Sequence, residues 1–262
     1  MSHKVLEALL KKARSAHKAA PTKDTEAAEG MRHLFLAILG SNAPRAGAEK
    51  AVDKLVKSFI DLNEIRVSLG DELLDAIGAS YPQGRERVQR LMEAMGEVFM
   101  REHQMELVSL KGKGKREQRE YLDTLPGLTG AMAAQVFALA FEGHAVPVDE
   151  RLLTALKEAG ALEDNCDATH AENIVTRSIK AGEAVETFYA LWAWVDANPP
   201  KVWPPRPTPV PVFVAPPAPP KGSPAALAAA AANAALFPPR PAVPAAKPAV
   251  SGAKPTVSHK KK

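Results

Sequence analysis

The stretch Tyr121–Phe141, "YLDTLPGLTGAMAAQVFALAF", decides the fold of this chain. At its centre, "LPGLTG" combines a Pro-Gly pair with a second turn-forming glycine, Gly130. A charged segment precedes this turn, and an alanine-rich apolar run follows it. Because Pro and Gly favour turns and interrupt helices, the stretch predicts two helices joined by a very tight hairpin.

The remainder of the body also has a helical period. In "AEKAVDKLVKSFIDL", for example, Val52, Leu55, Val56 and Ile60 stand at i, i+3, i+4 and i+8, which places them on one helix face. We find no convincing alternating strand pattern and no internal repeat. The sequence therefore predicts an all-α body over residues 1–198.

The composition changes at Pro199. Beyond Asp196 the chain has nine Lys or Arg and no acid, whereas the body before it has 25 Lys or Arg against 30 acids, a net charge of −5. Residues 199–262, rich in Pro, Ala and Lys, have too few large apolar groups to offset their ordering entropy. We predict a disordered basic tail that seeks polyanions, with a Pro-rich segment that could recruit a partner protein.

Cysteine content and hydropathy limit the class of protein. Cys166 is the only cysteine, which excludes an internal disulfide and a site built from several thiolates. No stretch reaches the roughly 18 consecutive apolar residues of a membrane span. The N-terminus has no secretory pattern. These features predict a cytoplasmic protein with no membrane contact.

The hairpin offers a binding site for an anion. Gly127 can take a positive φ without steric cost, and the N–H groups of Gly127, Thr129 and Gly130 then point outward at a helix start. Such N–H groups, with the helix dipole, bind phosphate without reading bases. The alternative is an ordinary turn between two packed helices.

Three segments together resemble the helix–hairpin–helix (HhH-GPD) DNA glycosylase superfamily, in its endonuclease III-like branch. "LPGLTGAMAAQ" resembles the family's "LPGVGxKTA" hairpin, and "VPVDERL", which carries Asp149, resembles its "VDTHI" segment. Upstream lies "HLFLAILGSNAPRAGAEKA". The resemblance covers roughly residues 30–195. It implies a two-lobed all-α fold that binds damaged duplex DNA as a monomer, flips out a nucleotide and removes its base.

The resemblance gives Asp149 the catalytic role. Loss of a base leaves an oxocarbenium-like sugar, and a nearby carboxylate stabilises that charge and can orient or deprotonate the attacking water. The alternative is that Asp149 only caps a helix, which contributes about 1 kcal/mol. Both can hold together, because the family's aspartate also lies at a helix start.

The sequence departs from the family in three places. Ala131 replaces the lysine that forms a Schiff base in bifunctional members, so we expect base removal with little strand cleavage. Cys166 alone cannot ligate the iron–sulfur cluster found in many members. We therefore expect no cofactor, although a monovalent cation could bind at the hairpin. Thr129 replaces the second glycine of the family's turn.

Other candidate DNA contacts lie outside the turn. Asn42 falls where members place a glutamine that fills the gap left by a flipped base, although it can equally be a residue of a helix C-terminal turn. Lys111, Lys113 and Lys115 precede the hairpin and could touch phosphates, or simply form a solvated loop.

The leading hypothesis is a base-excision repair enzyme, associated with the nucleoid, that hydrolyses the N-glycosidic bond of a damaged base. The alternative is a non-catalytic helix–hairpin–helix protein that recognises the DNA backbone or DNA damage.

Overall fold

A computed structural model describes residues 3–16 and 29–201 of the 262-residue chain. These residues form α-helices and one short 3₁₀ helix, and no strand occurs among them. The all-α prediction is confirmed. Nearly all of the predicted tail, from residue 202 on, lies outside the described residues, so its disorder stays a prediction.

In chain order the helices are α1 His3–Ala16, α2 Glu29–Gly40, α3 Arg45–Ser58, α4 Leu62–Val67, α5 Gly70–Ile77, α6 Gly84–Glu102, α7 Lys115–Asp123, α8 Gly130–Phe141, α9 Glu150–Glu158, α10 Ala168–Arg177 and α11 Ala184–Ala197. The 3₁₀ helix Val108–Leu110 lies between α6 and α7. No described helix is long and apolar enough to cross a membrane.

Helix α2 forms the centre of the packing. Its residues Leu34, Phe35, Ile38 and Leu39 have no exposed surface. An α-helix that is apolar on all sides is stable only when other elements cover every face. Accordingly, α2 packs against α3, α6 and α8.

The other helices pack around this centre. Helix α5 packs on α3 and α6, α4 packs on α6, and α7 packs on α8. Helix α11 contacts α1 and α9, while α10 contacts α8 and α9. The result is an all-helical body, as the resemblance implies.

The predicted hairpin joins α7 to α8 through residues 124–129. Gly127 has φ +80°, and a Cβ atom there would lie 2.3 Å from the carbonyl oxygen of Arg90 on α6. The glycine is therefore required twice, by its backbone conformation and by the close approach of α6. Thr129 begins the next helix, because its hydroxyl oxygen accepts a hydrogen bond from the N–H of Met132 at 3.3 Å.

A buried arginine positions the end of α2. The Arg87 guanidinium donates to the carbonyl oxygens of Ile38, Leu39 and Ser41 at 2.9, 2.6 and 2.7 Å. The Tyr81 hydroxyl also donates to Leu39, at 2.7 Å. These bonds satisfy carbonyls that have no partner within a helix end. They hold the turn between α2 and α3 in one place.

The ordered body continues slightly beyond the predicted boundary at residue 198. Helix α11 ends at Ala197, and the N–H of Lys201 donates to both carboxylate oxygens of Glu158 at 3.1 Å. The division of the chain into a body and a tail stays a prediction, because residues 202–262 lie outside the described part.

Replacing Gly127 tests the constraint on the hairpin. We expect Gly127→Ala to lower the free energy of unfolding by more than about 1 kcal/mol, because alanine disfavours positive φ and its methyl group would strike the backbone of α6. The matched control is Gly130→Ala, since Gly130 has nothing within 4 Å of an added Cβ. Urea unfolding measures both. Equal midpoints for the two variants would contradict the constraint.

Candidate active site

Asp149 lies at the start of α9 and binds two backbone N–H groups. Its Oδ1 accepts from the N–H of Leu152 at 2.8 Å, which is the N-cap bond. Its Oδ2 accepts from the N–H of Asn42 at 2.6 Å, across 107 residues of sequence. The capping role is thus present, and the second bond ties the carboxylate to the α2–α3 turn.

Asn42 in turn binds the first turn of α9, two residues beyond Asp149. Its φ of 58° is left-handed, a conformation that Asn tolerates better than most residues. Its side-chain oxygen accepts from the N–H of Arg151 at 3.0 Å, so it also caps α9. In this structure the Asn42 amide is therefore directed at α9, while its proposed role in filling a DNA gap stays a prediction.

Two cavities meet at Asp149. An inner pocket of about 20 Å³ has a largely apolar lining, and an outer cleft of about 370 Å³ extends toward the hairpin. Ser41, Ala131 and Asp149 line both cavities. The inner pocket is further lined by Gly40, Met132, Gln135, Pro147, Arg151, Leu152, Phe188, Trp192 and Val195.

The environment changes the acidity of Asp149. Burial of the carboxyl group raises its pKa above the ordinary value for aspartate. The N–H groups of Leu152 and Asn42, together with the guanidinium groups of Arg151 and Arg87, oppose that rise by favouring the ionised form. The carboxylate is thus held in a defined orientation, and it protonates at higher pH than an exposed aspartate.

Arg151 connects this site to α11. Its guanidinium is buried and lies 2.6 Å from Asp196 Oδ1, and it donates to the carbonyl oxygens of Ala43 and Val195, both at 3.2 Å. The Trp192 indole N–H donates to the same Ala43 oxygen at 2.9 Å. Trp192 also closes against α2, since a Cβ on Gly40 would lie 2.8 Å from its ring. The inner pocket is therefore rigid on this side.

The hairpin contributes one edge of the outer cleft. Thr129 and Gly130 line the cleft, whereas Gly127 packs against α6. Among the described residues, none accepts a hydrogen bond from the N–H of Gly127 or Gly130, and the Thr129 N–H contacts the Met132 sulfur at 3.4 Å. The N–H of Gly130 is thus available at the start of α8.

The three predicted lysines lie away from this edge. Lys111, Lys113 and Lys115 are exposed, and none lines the inner pocket or the outer cleft. The Lys115 ammonium donates to the carbonyl of Phe141, at the far end of α8 from the hairpin. A nine-residue helix, about 13 Å long, separates Lys115 from the turn. The structure therefore brings Asn42, Asp149, Thr129 and Gly130 together, but not the lysines.

Sequence reasoning missed several residues of the outer cleft. Arg119 lines it and pairs with Glu172 at 2.7 Å and with Asp123 at 3.0 Å. The i, i+4 spacing of Arg119 and Asp123 predicts a helical ion pair, but no pattern signals Glu172, which is 53 residues away. Asn173 and Thr169 of α10 complete this wall.

The hairpin carbonyls do not suit a cation at two positions. Arg101 donates to the Thr124 carbonyl at 3.0 Å, and Arg90 donates to the Gly127 carbonyl at 3.3 Å. A cation at either oxygen would meet a guanidinium of like charge. No group of three or more His, Cys, Asp or Glu within the described residues could hold a metal ion.

Comparisons with known proteins identify the fold. No family model matches the chain, and no curated protein matches its sequence. A non-covalent endonuclease III–DNA complex is similar in structure, with a TM-score of 0.59 and 15% identity over 77% of this chain and 91% of that one. A thermostable thymine-DNA glycosylase gives a TM-score of 0.54 and 17% identity over 78% and 89%.

A third similar structure is the Clostridium acetobutylicum 8-oxoguanine glycosylase/lyase in complex with double-stranded DNA that contains cytosine opposite 8-oxoG. Its TM-score is 0.57, with 12% identity over 76% of this chain and 71% of that one. At such identities the likeness concerns the fold. The chain has the helix–hairpin–helix DNA glycosylase fold, which confirms the resemblance at that level.

Substitutions of Asn42 test its cap on α9. Asn42→Gly keeps the left-handed conformation but loses the cap on α9, which we expect to cost about 1 kcal/mol. Asn42→Ala loses the same cap, and alanine also disfavours the left-handed conformation at this position. We therefore expect a further loss of about 1 kcal/mol in the free energy of unfolding. Urea unfolding should therefore show the wild type as the most stable, Asn42→Gly as less stable and Asn42→Ala as the least stable. Wild-type stability in both variants would show that the Asn42 side chain does not stabilise the fold.

Proposed function

We propose that this protein binds duplex DNA, flips out a damaged base and hydrolyses its N-glycosidic bond. The observation that carries the proposal is the place of Asp149, at the junction of an inner pocket and a cleft edged by the hairpin. The shared fold supports it, since the similar solved structures include glycosylases bound to DNA.

In the proposed reaction Asp149 acts in its ionised form. As the base leaves, positive charge develops on the sugar, and a carboxylate within the site stabilises it. The N–H groups of Asn42 and Leu152 hold both carboxylate oxygens, so little reorganisation is needed when the charge appears. Water then attacks the sugar, with the same carboxylate as the general base.

Ala131 defines the proposed reaction further. It lines both cavities beside Asp149, in the place where the resemblance puts a lysine. A methyl group cannot attack the sugar, so no covalent intermediate forms at this position. We therefore infer a monofunctional glycosylase with little lyase activity.

The hairpin supplies the proposed contact with the DNA backbone. The free N–H of Gly130 lies at the positive end of the α8 dipole, where a phosphate binds well. Most of the charged residues that line the outer cleft are acids, however. They are Asp123, Asp149, Glu150 and Glu172, and the one basic residue beside them is Arg119. We therefore place the phosphate at the hairpin edge rather than inside the cleft.

A second candidate function is DNA binding without base removal. The inner pocket, at about 20 Å³, has room for about one water molecule. A flipped base can enter only if side chains such as Met132 move. If they do not, the protein recognises the DNA backbone alone.

Asp149→Asn tests the proposed chemistry. Duplexes that contain uracil, thymine glycol or an alkylated base should yield abasic sites with the wild type, and the variant should be slower by about 10²–10⁴-fold. Single-turnover base release, followed by alkaline cleavage, measures both. The matched control is Asp167→Asn, because Asp167 caps α10 in the same way, accepting from His170 at 2.7 Å, and lies outside both cavities.

The pH profile gives the same test a second readout. Only the ionised carboxylate is active, and burial raises the Asp149 pKa, so the rate should rise with pH at a midpoint above the ordinary value of about 3.9. Absence of base release from every duplex, or equal losses in the Asp149 and Asp167 variants, would contradict the catalytic role.

Borohydride trapping tests the inference from Ala131. We expect no covalent adduct between the wild-type protein and a duplex that contains an abasic site, because the position offers no amine. Ala131→Lys places an amine beside Asp149 and should give a trapped adduct, resolved by denaturing electrophoresis. A strong adduct with the wild type would show that another amine of the chain serves as the nucleophile.

A further inference from the structure

Helix α8 contains one polar side chain, and it lies at the inner pocket. In Gly130–Phe141 every residue except Gln135 is Gly, Ala, Met, Val, Leu or Phe. Gln135 is only 5% exposed, and it lines the pocket together with Ala131 and Met132 of the same helix. Its spacing from Ala131, four residues, places both on one helix face.

The side-chain nitrogen of Gln135 lacks a partner. Its Nε2 atom is buried and has no hydrogen bond with any described residue. An unsatisfied buried amide destabilises the folded state, so such a group needs a reason. Gln118, buried on the neighbouring helix, differs at the nitrogen, because its Nε2 donates to the Leu110 carbonyl at 2.9 Å, whereas the unpartnered atom of Gln118 is its acceptor, Oε1.

The pocket has the composition of a site for a flat, partly polar ring. Phe188 and Trp192 supply aromatic surface, with ring centroids 5.2 Å apart and planes inclined at 38°. The polar side chains that line the pocket are the Ser41 hydroxyl, the Gln135 amide, the Arg151 guanidinium and the Asp149 carboxyl group. Ser41 is half-buried, and Arg151 is already bonded to Asp196, Ala43 and Val195, so Gln135 Nε2 is the buried donor of this lining that lacks a partner.

We propose that Gln135 donates a hydrogen bond to a carbonyl oxygen on the edge of the flipped base, and so selects bases that carry one. This inference rests on the proposed function and names its substrate class. Uracil, thymine glycol and hypoxanthine carry such an oxygen, whereas 3-methyladenine does not. A polar group that reads one hydrogen bond in a buried site discriminates more strongly than apolar contact does.

Entry of the base requires the pocket to widen. Trp192 is fixed by its bond to Ala43 and by its contact with Gly40. Met132 also lines the pocket, and its unbranched side chain can adopt other conformations at low cost. The base would displace the single water that the pocket can hold, and it would satisfy the Gln135 amide.

Gln135→Met is the decisive variant. It keeps the approximate volume and removes the donor. We expect base release from uracil duplexes to fall by about tenfold to hundredfold, in line with one buried hydrogen bond. Release of 3-methyladenine should remain slow and unchanged. The thermal midpoint should be equal to or higher than that of the wild type, because an unpaired amide has been removed from the interior.

Gln118→Met is the matched control. It should lower the thermal midpoint, since the Leu110 carbonyl loses its donor, and it should leave the preference between bases unchanged. The inference would be overturned if Gln135→Met slowed the release of all bases equally, or if its thermal midpoint fell as that of the Gln118 variant does. Either result would favour a structural role for Gln135.

Binding of free bases separates this inference from the proposed function. We would follow the side-chain amide signals of Gln135 and Gln118 by NMR while adding millimolar free uracil or free 3-methyladenine. Uracil alone should shift the Gln135 signal. If duplexes release no base but uracil still shifts it, catalysis fails and the pocket assignment stands. No shift with uracil overturns the assignment.

Discussion

The hydrogen bonds that join Asn42 to the start of α9 are the interaction on which the rest of the site depends. Asn42 lies in the turn after α2, and Asp149 lies at the start of α9. The Asp149 carboxylate accepts from the N–H of Asn42, and the Asn42 side-chain oxygen accepts from the N–H of Arg151. Two buried arginines hold the pair from either side, because Arg87 binds the last carbonyls of α2 and Arg151 binds Ala43 and α11. The junction of the two cavities follows from this arrangement, since the Asp149 carboxylate cannot move without breaking its bonds to Leu152 in α9 and to Asn42 in the α2–α3 turn.

Local chemistry allowed part of this structure to be predicted. The turn residues of "LPGLTG" predict the hairpin, and "VPVD" before an amphipathic run predicts a capped helix, because both signals act within a few residues. The partners of those residues could not be predicted in the same way. The contact of Gly127 with α6, the bond from Asn42 to Asp149 and the pair Arg119–Glu172 all join distant segments. The lysines show the converse, since closeness in sequence to the hairpin did not place them near it.

Burial and charge act in opposite directions throughout the site. Burial raises the pKa of Asp149, while two guanidinium groups and two N–H groups favour its ionised form. The outer cleft repeats the pattern with Arg119 between two carboxylates, and burial likewise raises the pKa of Glu172. Among the described residues that line the outer cleft, Arg119 is the one Lys or Arg, and it is already paired with two carboxylates. Backbone N–H groups at a helix start attract a phosphate without any added side-chain charge.

The Ala43 carbonyl oxygen joins a wall of the inner pocket to the surroundings of Asp149. It accepts from Trp192, a wall of the inner pocket, and from Arg151, whose charge favours the ionised form of Asp149. Asn42, the residue before it, donates to the same carboxylate. Asp149 also lines the inner pocket, so an occupant of that pocket changes the surroundings of its carboxyl group, and occupancy and protonation become thermodynamically linked. An occupant of the inner pocket then changes the affinity of Asp149 for a proton. By reciprocity, protonation of Asp149 changes the affinity of the pocket for that occupant by the same factor.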